Sequence, residues 1–436
     1  MGYDREGKRK ADRVEQPMQL PNPRSEWIYD WNLASPPPIA PGARVLLNDE
    51  TLRDGLQNPS VFDPSIEEKI EILHLMESLG IDSLNIGLPC AGPRAVAHTE
   101  ALAREIATNR MRIRPNAAAR TVEADIRPIA EISQRVGIAI EAATFLGSSP
   151  IRRLVEDWTV DHLERTTEAA VKFAVSHNLP SMYVTEDTIR TDPETVKRLY
   201  STAIRSGARA IVLCDTVGHA TPEGAFNLVK FAIENVVKPS GEKIRVDWHG
   251  HNDRGLSIAN SIAALVAGAD CVHAAANALG ERVGNTPMEL MLVNLRLMGL
   301  IDRDLSRLKE YCAKVAKATH TTIPPNYPVI GRDAFRTATG VHAAAIIKAF
   351  RKGDVSLANI VYSGVPSHLF GLNQVIEIGP MSGKSNVLFW LERHHLPADD
   401  ATVNRIFDAA KQSARVLTDA EILALAKPEA SGAVRT

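Results

Sequence analysis

The feature that most constrains this chain is an eightfold alternation of short apolar runs and longer amphipathic ones, beginning at Arg44. Residues 45–47, 83–86, 112–114, 137–142, 181–185, 210–214, 243–248 and 271–274 read as strands. Helical periodicity follows the strands, as over residues 65–79, 91–107, 122–135, 161–177, 193–206, 222–237 and 256–267. Asp63-Pro64, Asp192-Pro193 and Thr221-Pro222 each put a capping side chain before a proline, which marks a helix start. Gly80, Gly207 and Gly268 mark helix ends. Eight strand–helix units over residues 43–300 predict an α/β fold, a (β/α)8 TIM barrel. An open doubly wound sheet also alternates strands and helices. The barrel accounts for all eight units and brings polar residues that follow different strands onto one rim.

The rhythm stops after Leu300. Residues 301–332 are expected to be a helical linker, with one amphipathic helix over 302–319 followed by Ile323-Pro324-Pro325. Residues 333–436 are expected to form a small, mainly helical C-terminal subdomain. Its Ser382-Gly383-Lys384-Ser385 lacks the upstream glycine of a phosphate loop and reads as a turn capping a helix. Residues 1–42 form an N-terminal extension, charged over 4–13 and broken by Pro21, Pro23 and Pro36-Pro37-Pro38. Trp27, Tyr29 and Trp31 are expected to pin that arm to the body or to a second subunit. The tail from Lys427 is expected to be loose.

Composition narrows the function. A net charge of -2 gives no reason to expect nucleic acid or an anionic membrane. No apolar run approaches a membrane span, and the charged N-terminus has no signal-peptide core. The four cysteines lie far apart without a Cys-x-x-Cys pair, which suits reduced thiols in a cytoplasmic protein.

The chemistry gathers at the expected strand ends. His249 and His251 stand two apart at the close of a strand, so their imidazoles face one point. Asp54 follows the first strand, Glu186 the fifth and Thr216 the sixth. Asn277, Glu281, Arg282 and Asn285 follow the eighth. One carboxylate, two imidazoles and the Asn285 amide oxygen suit a divalent ion such as Mg, Mn, Zn or Co. The coordination positions left over point to catalysis. Arg53, beside Asp54, offers a planar partner for a carboxylate, and Glu186 and His342 are candidates for proton transfer.

At these residues the chain resembles the DRE-type metal-dependent barrels. Within them it is similar to the Claisen-condensing branch of 2-isopropylmalate, homocitrate and citramalate synthases. The similarity rests on Glu50-Thr-Leu-Arg-Asp-Gly, Thr185-Glu-Asp, Asp215-Thr-Val-Gly, His249-Gly-His-Asn-Asp, Gly280-Glu-Arg-Val-Gly-Asn-Thr, Thr339-Gly-Val-His and Ser382-Gly-Lys. The resemblance implies metal ligation by Asp54, His249, His251 and Asn285. It implies oxo-acid contacts from Arg53, Gln57 and Thr216, and acid–base work by Glu186, His342 and Tyr362. It further implies acetyl-CoA as co-substrate, a small-molecule 2-oxo acid as acceptor, and a homodimer with shared sites. The implied reaction is condensation of acetyl-CoA with the oxo acid, followed by thioester hydrolysis.

Four departures bear on that reading. Leu56 stands where these synthases carry Glu, which brings Arg53-Asp-Gly-Leu-Gln-Asn closer to 3-hydroxy-3-methylglutaryl-CoA lyase. The loop after strand eight lacks that lyase's cysteine, so a lyase ranks second and a non-catalytic metal-binding barrel third. Asn85 replaces a strand-two acid. Ala143 and Arg152 stand in place of the family's histidines, and Arg152 suits an oxo acid with a second anionic group: 2-oxoglutarate, oxaloacetate or phosphonopyruvate. The chain ends soon after Ser382-Gly-Lys, so leucine inhibition through a further regulatory domain is not expected.

Overall fold

The structure, a computed structural model, describes residues 27–35, 38–40 and 42–427. The charged run, the Pro21-Asn22-Pro23 break and the tail beyond 427 lie outside the described residues. The chain divides into two compact units, Met1–Ala43 and Arg44–Thr436. In the first, Trp31–Leu33 form one 3-10 turn. Asp30 opens it by accepting from the Asn32 amide at 3.0 Å, and the Tyr29 and Trp31 rings meet edge to face.

In the second unit, eight parallel strands close into a barrel in chain order. They are β1 (Leu46–Asp49), β2 (Ser83–Asn85), β3 (Arg114–Arg120), β4 (Glu141–Gly147), β5 (Ser181–Glu186), β6 (Ala210–Asp215), β7 (Arg245–Gly250) and β8 (Cys271–Ala274). β8 returns to β1 in register from Leu46↔Cys271 to Asp49↔Ala274. The expected (β/α)8 class is the observed one.

Strands β3 and β4 run several residues later than their expected positions. Ala117-Ala118-Ala119 at the centre of β3 and Ala142-Ala143 in the first half of β4 are not the β-branched residues that mark strands in sequence. Pairing and burial decide these strands instead: Ala118 sits opposite Ala143, and all five alanines are buried.

The crossover helices are α1 (Ile66–Ser78), α2 (Pro93–Thr108), α3 (Glu123–Val136), α4 (Pro150–Glu156), α5 (Val160–Ser176), α6 (Pro193–Arg205), α7 (Pro222–Ala232) and α8 (Ser257–Ala267). Asp192 and Thr221 cap α6 and α7 as expected, accepting from the Thr195 and Gly224 amides. The start of α1 differs. Ser65 caps it in a capping box with Glu68, whereas Asp63 pairs with Lys69 and Arg94. The short α4 has no counterpart in the periodicity, because Ile151, Leu154 and Val155 are exposed rather than facing a core.

Beyond β8 come α9 (Met288–Leu297) and α10 (Leu308–Ala318). The expected helix over 302–319 is shortened at its start. Asp304 accepts from the Ser306 amide, and Arg303 reaches across to Asp82 at 2.7 Å, so 302–307 stays outside the helix, which starts at Leu308. A two-stranded parallel ribbon, β9 (Arg336–Thr337) and β10 (Val375–Ile376), joins α11 (Gly340–Arg351), α12 (Val355–Ile360), α13 (Lys384–Arg393), α14 (Asp400–Gln412) and α15 (Asp419–Ala426). The Ser382-Gly383 turn is a helix cap. Ser382 Oγ donates to the Ala338 carbonyl and accepts from the Gly379 amide, so the turn's polar groups are spent internally.

Apolar side chains such as Tyr183, Leu199, Ile211, Leu213 and Trp248 fill the layer between strands and helices. Inside the barrel the filling is divided. Ala143, Met182, Ala210, Val212 and Cys214 pack on the β4–β6 side. Beside them runs a chain of ion pairs that starts on β4 and continues over β7, β8 and the loop after β1, Glu141–Arg245–Asp247–His273–Glu50–Arg53. That chain leads to the C-terminal rim, where barrels carry their sites.

Candidate active site

A cavity of about 310 Å³ opens at the rim and inherits the division of the interior. Its polar wall carries Glu50, Arg53, Asp54, His249, His251 and His273. Its apolar wall carries Ala118, Ala143, Phe145, Val184, Val212 and Cys214.

Three of the expected metal ligands converge. Asp54 Oδ2 lies 3.6 Å from His249 Nε2 and 3.5 Å from His251 Nε2, and the two imidazole nitrogens are 3.3 Å apart. Asn285 pairs with His251 in a β-bridge, which sets it beside the triad. Its Nδ2 donates to the Leu279 carbonyl at 2.9 Å, while its Oδ1 and Asp54 Oδ2 are buried without a hydrogen-bond partner. Two buried acceptor oxygens without donors, next to two imidazole nitrogens, fit a cation. Electrostatics agree. Burial alone would raise the Asp54 carboxyl, but Arg53 and the two imidazoles outweigh it and hold it below the usual range. Burial pushes His249 down to about 3 and lowers His251, so both imidazoles are neutral and free to ligate.

Gly280 makes this geometry possible. It has φ +146°, and a Cβ there would lie 2.3 Å from Asn285 Nδ2.

Around the triad, Arg53 is held by Glu50, to which Nε and Nη2 donate at 3.0 and 2.5 Å. Nη1 remains near Asp54, 3.6 Å from Oδ1. Glu186 lies across the cavity. Burial raises its carboxyl, against the opposing pull of Arg152 and Arg53. It makes no ion pair with Arg190, which forks onto Asp187 instead. Thr216 Oγ1 accepts from the Asp187 amide at 2.8 Å, leaving its own proton to donate, and Gln57 lines the mouth. Arg282 reaches Asp253 at 2.8 Å and the Thr216 carbonyl, tying the loops after β6, β7 and β8 together.

Three expected site residues are not part of the cavity wall. The stem of Arg152 crosses Gly147, where a Cβ would lie 2.5 Å from Arg152 Cγ. Its guanidinium pairs with Glu156 at 3.0 Å and lies 5.7 Å over the Trp158 ring. His342 and Tyr362 stack on each other at 4.1 Å; both are exposed, at the start of α11 and just after α12.

Glu50, Asp247 and His273 also belong to the site region and carried no assigned role in sequence. His273 stands between Glu50 (3.3 Å) and Asp247 (3.2 Å). Burial would lower its pKa, but hydrogen bonds to the two carboxylates push it up to about 9. Asp247, Cys271 and His273 also lie within ligating distance of one another. A cationic imidazole and a carboxylate already forked by Arg245 make them an ion-pair network, not a second ligand set. The available signal was spacing: Asp247 and His249 share one face of β7, with His251 following at the same spacing, and a charged residue inside a buried strand calls for a partner.

Residues 44–315 match the HMGL-like family model. A 2-isopropylmalate synthase of Pyrococcus furiosus is 29% identical over 403 residues, covering 88% of this chain and 76% of that protein. Homocitrate synthase AksA of Methanopyrus kandleri is 30% identical over 376 residues, covering 84% and 87%. A probable 2-isopropylmalate synthase of the same organism is 32% identical over 315 residues, covering 70% of this chain and 58% of its own length. Among solved structures, the HMG-CoA lyase of Bacillus subtilis superposes with a TM-score of 0.55 at 20% identity, covering 66% of this chain and 97% of the lyase. That likeness establishes the shared barrel.

Proposed function

The chain belongs to the HMGL-like family, and from that premise we propose that it condenses acetyl-CoA with a 2-oxo acid and hydrolyses the resulting thioester, releasing CoA. The observation that carries this reading is the Asp54–His249–His251 triad with the orphaned Asn285 oxygen, in a cavity that also holds Arg53 and Glu186. A divalent ion held by these four residues would act as a Lewis acid on the ketone of a chelating oxo acid.

The chain's own groups supply the rest. Arg53, anchored by Glu50, faces the oxygen that gains negative charge as the ketone is attacked. Thr216 donates to the oxo-acid carboxylate. Glu186, whose carboxyl burial raises above its ordinary range, takes the proton from the acetyl methyl. The stacked His342–Tyr362 pair is absent from this chain's own cavity, and the reading assigns it to the site of a second copy in a homodimer. Arg152 leaves Glu156 to meet a second anionic group on the oxo acid; its electrostatic pull on Glu186 supports that reach.

A thiol-release assay tests the reading. Purified protein, acetyl-CoA and Mg or Mn are offered 2-oxoisovalerate, pyruvate, 2-oxoglutarate, oxaloacetate and phosphonopyruvate. CoA release with one acid, lost with chelator and in His249→Ala, is the expected result. Release with none, alongside cleavage of a 3-hydroxyacyl-CoA, would replace the synthase by a lyase.

A further inference from the structure

A buried polar network lies behind the site and joins it to the chain beyond the barrel. Glu289, in the first turn of α9, is 0% exposed. Its Oε1 accepts from the Tyr327 hydroxyl at 2.5 Å and its Oε2 from the Asn277 amide at 2.9 Å. Asn277 Nδ2 donates to the Cys312 carbonyl on α10. Asn277 and Ala278 have φ of 54° and 56°, two successive non-glycine residues in the left-handed region. Such a pair persists only where its surroundings over-determine it.

What this strained pair presents is the Asn285 loop. The Ala278 carbonyl accepts from the Asn285 amide at 3.1 Å, and the next carbonyl, Leu279, accepts from Asn285 Nδ2. These two bonds set the rotation of the Asn285 side chain and leave Oδ1 facing no donor. A second arm holds the loop after β1. On α10, Tyr311 donates to Asp49 at 2.5 Å and meets Thr51 Oγ1 at 3.2 Å, and Thr51 Oγ1 accepts from the Ala276 amide at 2.8 Å.

We infer that Glu289 and Tyr327 are positioning residues for the Asn285 oxygen, so that a segment beyond the barrel sets divalent-metal affinity at the site. The inference rests on the metal-site part of the proposed function. Neither residue ligates; they fix the loop whose carbonyls orient the ligand, as outer-shell partners do. Burial pushes the Glu289 carboxyl up to about 7, so a neutral glutamine is a close substitute for it. Its amide oxygen would accept from the Asn277 amide, and its NH2 would donate to Tyr327.

The test titrates Mn alone into chelator-treated full-length protein, read by calorimetry and by the Mn electron paramagnetic resonance signal. Glu289→Leu is expected to weaken Mn binding about 10- to 100-fold, Tyr327→Phe to weaken it less, and Glu289→Gln to restore most of the loss. Leu163→Ala, a buried-core change on α5, is expected to bind Mn as the parent does. Parental affinity in both Glu289→Leu and Tyr327→Phe would overturn the inference, as would equal weakening in Leu163→Ala. Tyr327→Phe, which removes a single oxygen, decides alone if Glu289→Leu fails to fold. A parent protein with no Mn site lost in His249→Ala overturns the metal reading itself, an outcome separate from the others.

Discussion

Substituting Gly280 by alanine puts one methyl group against a proposed metal ligand. The added carbon would stand 2.3 Å from Asn285 Nδ2 and 3.1 Å from its Cγ. Ordinary carbon–nitrogen contact begins at about 3.4 Å, so the amide must retreat by roughly 1 Å or the loop must open. Retreat breaks the Nδ2–Leu279 hydrogen bond, worth about 1 kcal/mol. It also displaces Oδ1, and a disturbed ligand shell weakens metal binding by about 10- to 100-fold. At φ +146° the new residue is strained as well, at about 1–3 kcal/mol. Gly241→Ala separates the two effects. Gly241 has φ +68°, and a Cβ there meets nothing within 4 Å, so strain is introduced without contact. Both variants should lower the urea midpoint, and only Gly280→Ala should weaken Mn binding by calorimetry and lower kcat in the thiol-release assay. Parental Mn affinity in Gly280→Ala, or equal losses in both variants, would refute the assignment of the Asn285 oxygen.

Three further expectations follow from the buried charges and the rim. Glu289 ionises near 7 in the fold against an ordinary 4.5. As pH rises, the unfolded chain therefore releases this proton first. The stability tied to it is full below 4.5 and is lost by 7, about 3 kcal/mol in all. Glu289→Gln should be spared that decline in urea titrations, and parallel profiles for the two proteins would contradict the burial argument. Asp247→Asn removes the charge shared by Arg245 and His273 and should cost about 3–5 kcal/mol of stability; an unchanged urea midpoint would show that the network is dispensable. Arg152→Gln should raise KM about tenfold for a doubly anionic oxo acid and leave KM unchanged for one with an alkyl chain. Equal KM values across the panel would remove Arg152 from the substrate contacts.

The alternation of runs and the cap residues carried the barrel, because each strand–helix unit must bury one apolar face and only a few arrangements bury eight of them. The His249/His251 spacing and the polar residues after β1, β5, β6 and β8 likewise pointed to the candidate site, since position after a barrel strand already implies the shared rim. Where side-chain pattern and packing diverged, sequence reading failed. The alanine strands β3 and β4 are strands because neighbours pair with them, and the helix over 302–319 is shortened by an Asp304 turn that periodicity does not register. Asp247, Glu50 and Glu289 are acidic residues buried inside the fold. Asp247 and Glu50 have arginines two and three residues away, Arg245 and Arg53, but His273, which pairs with both acids, and Tyr327, which pairs with Glu289, come from distant parts of the sequence. A buried charge is tolerated only where folding supplies the opposite charge or donor. That pairing is set by tertiary contact, so the ion-pair chain inside the barrel and the network behind Asn285 became visible only in the folded structure.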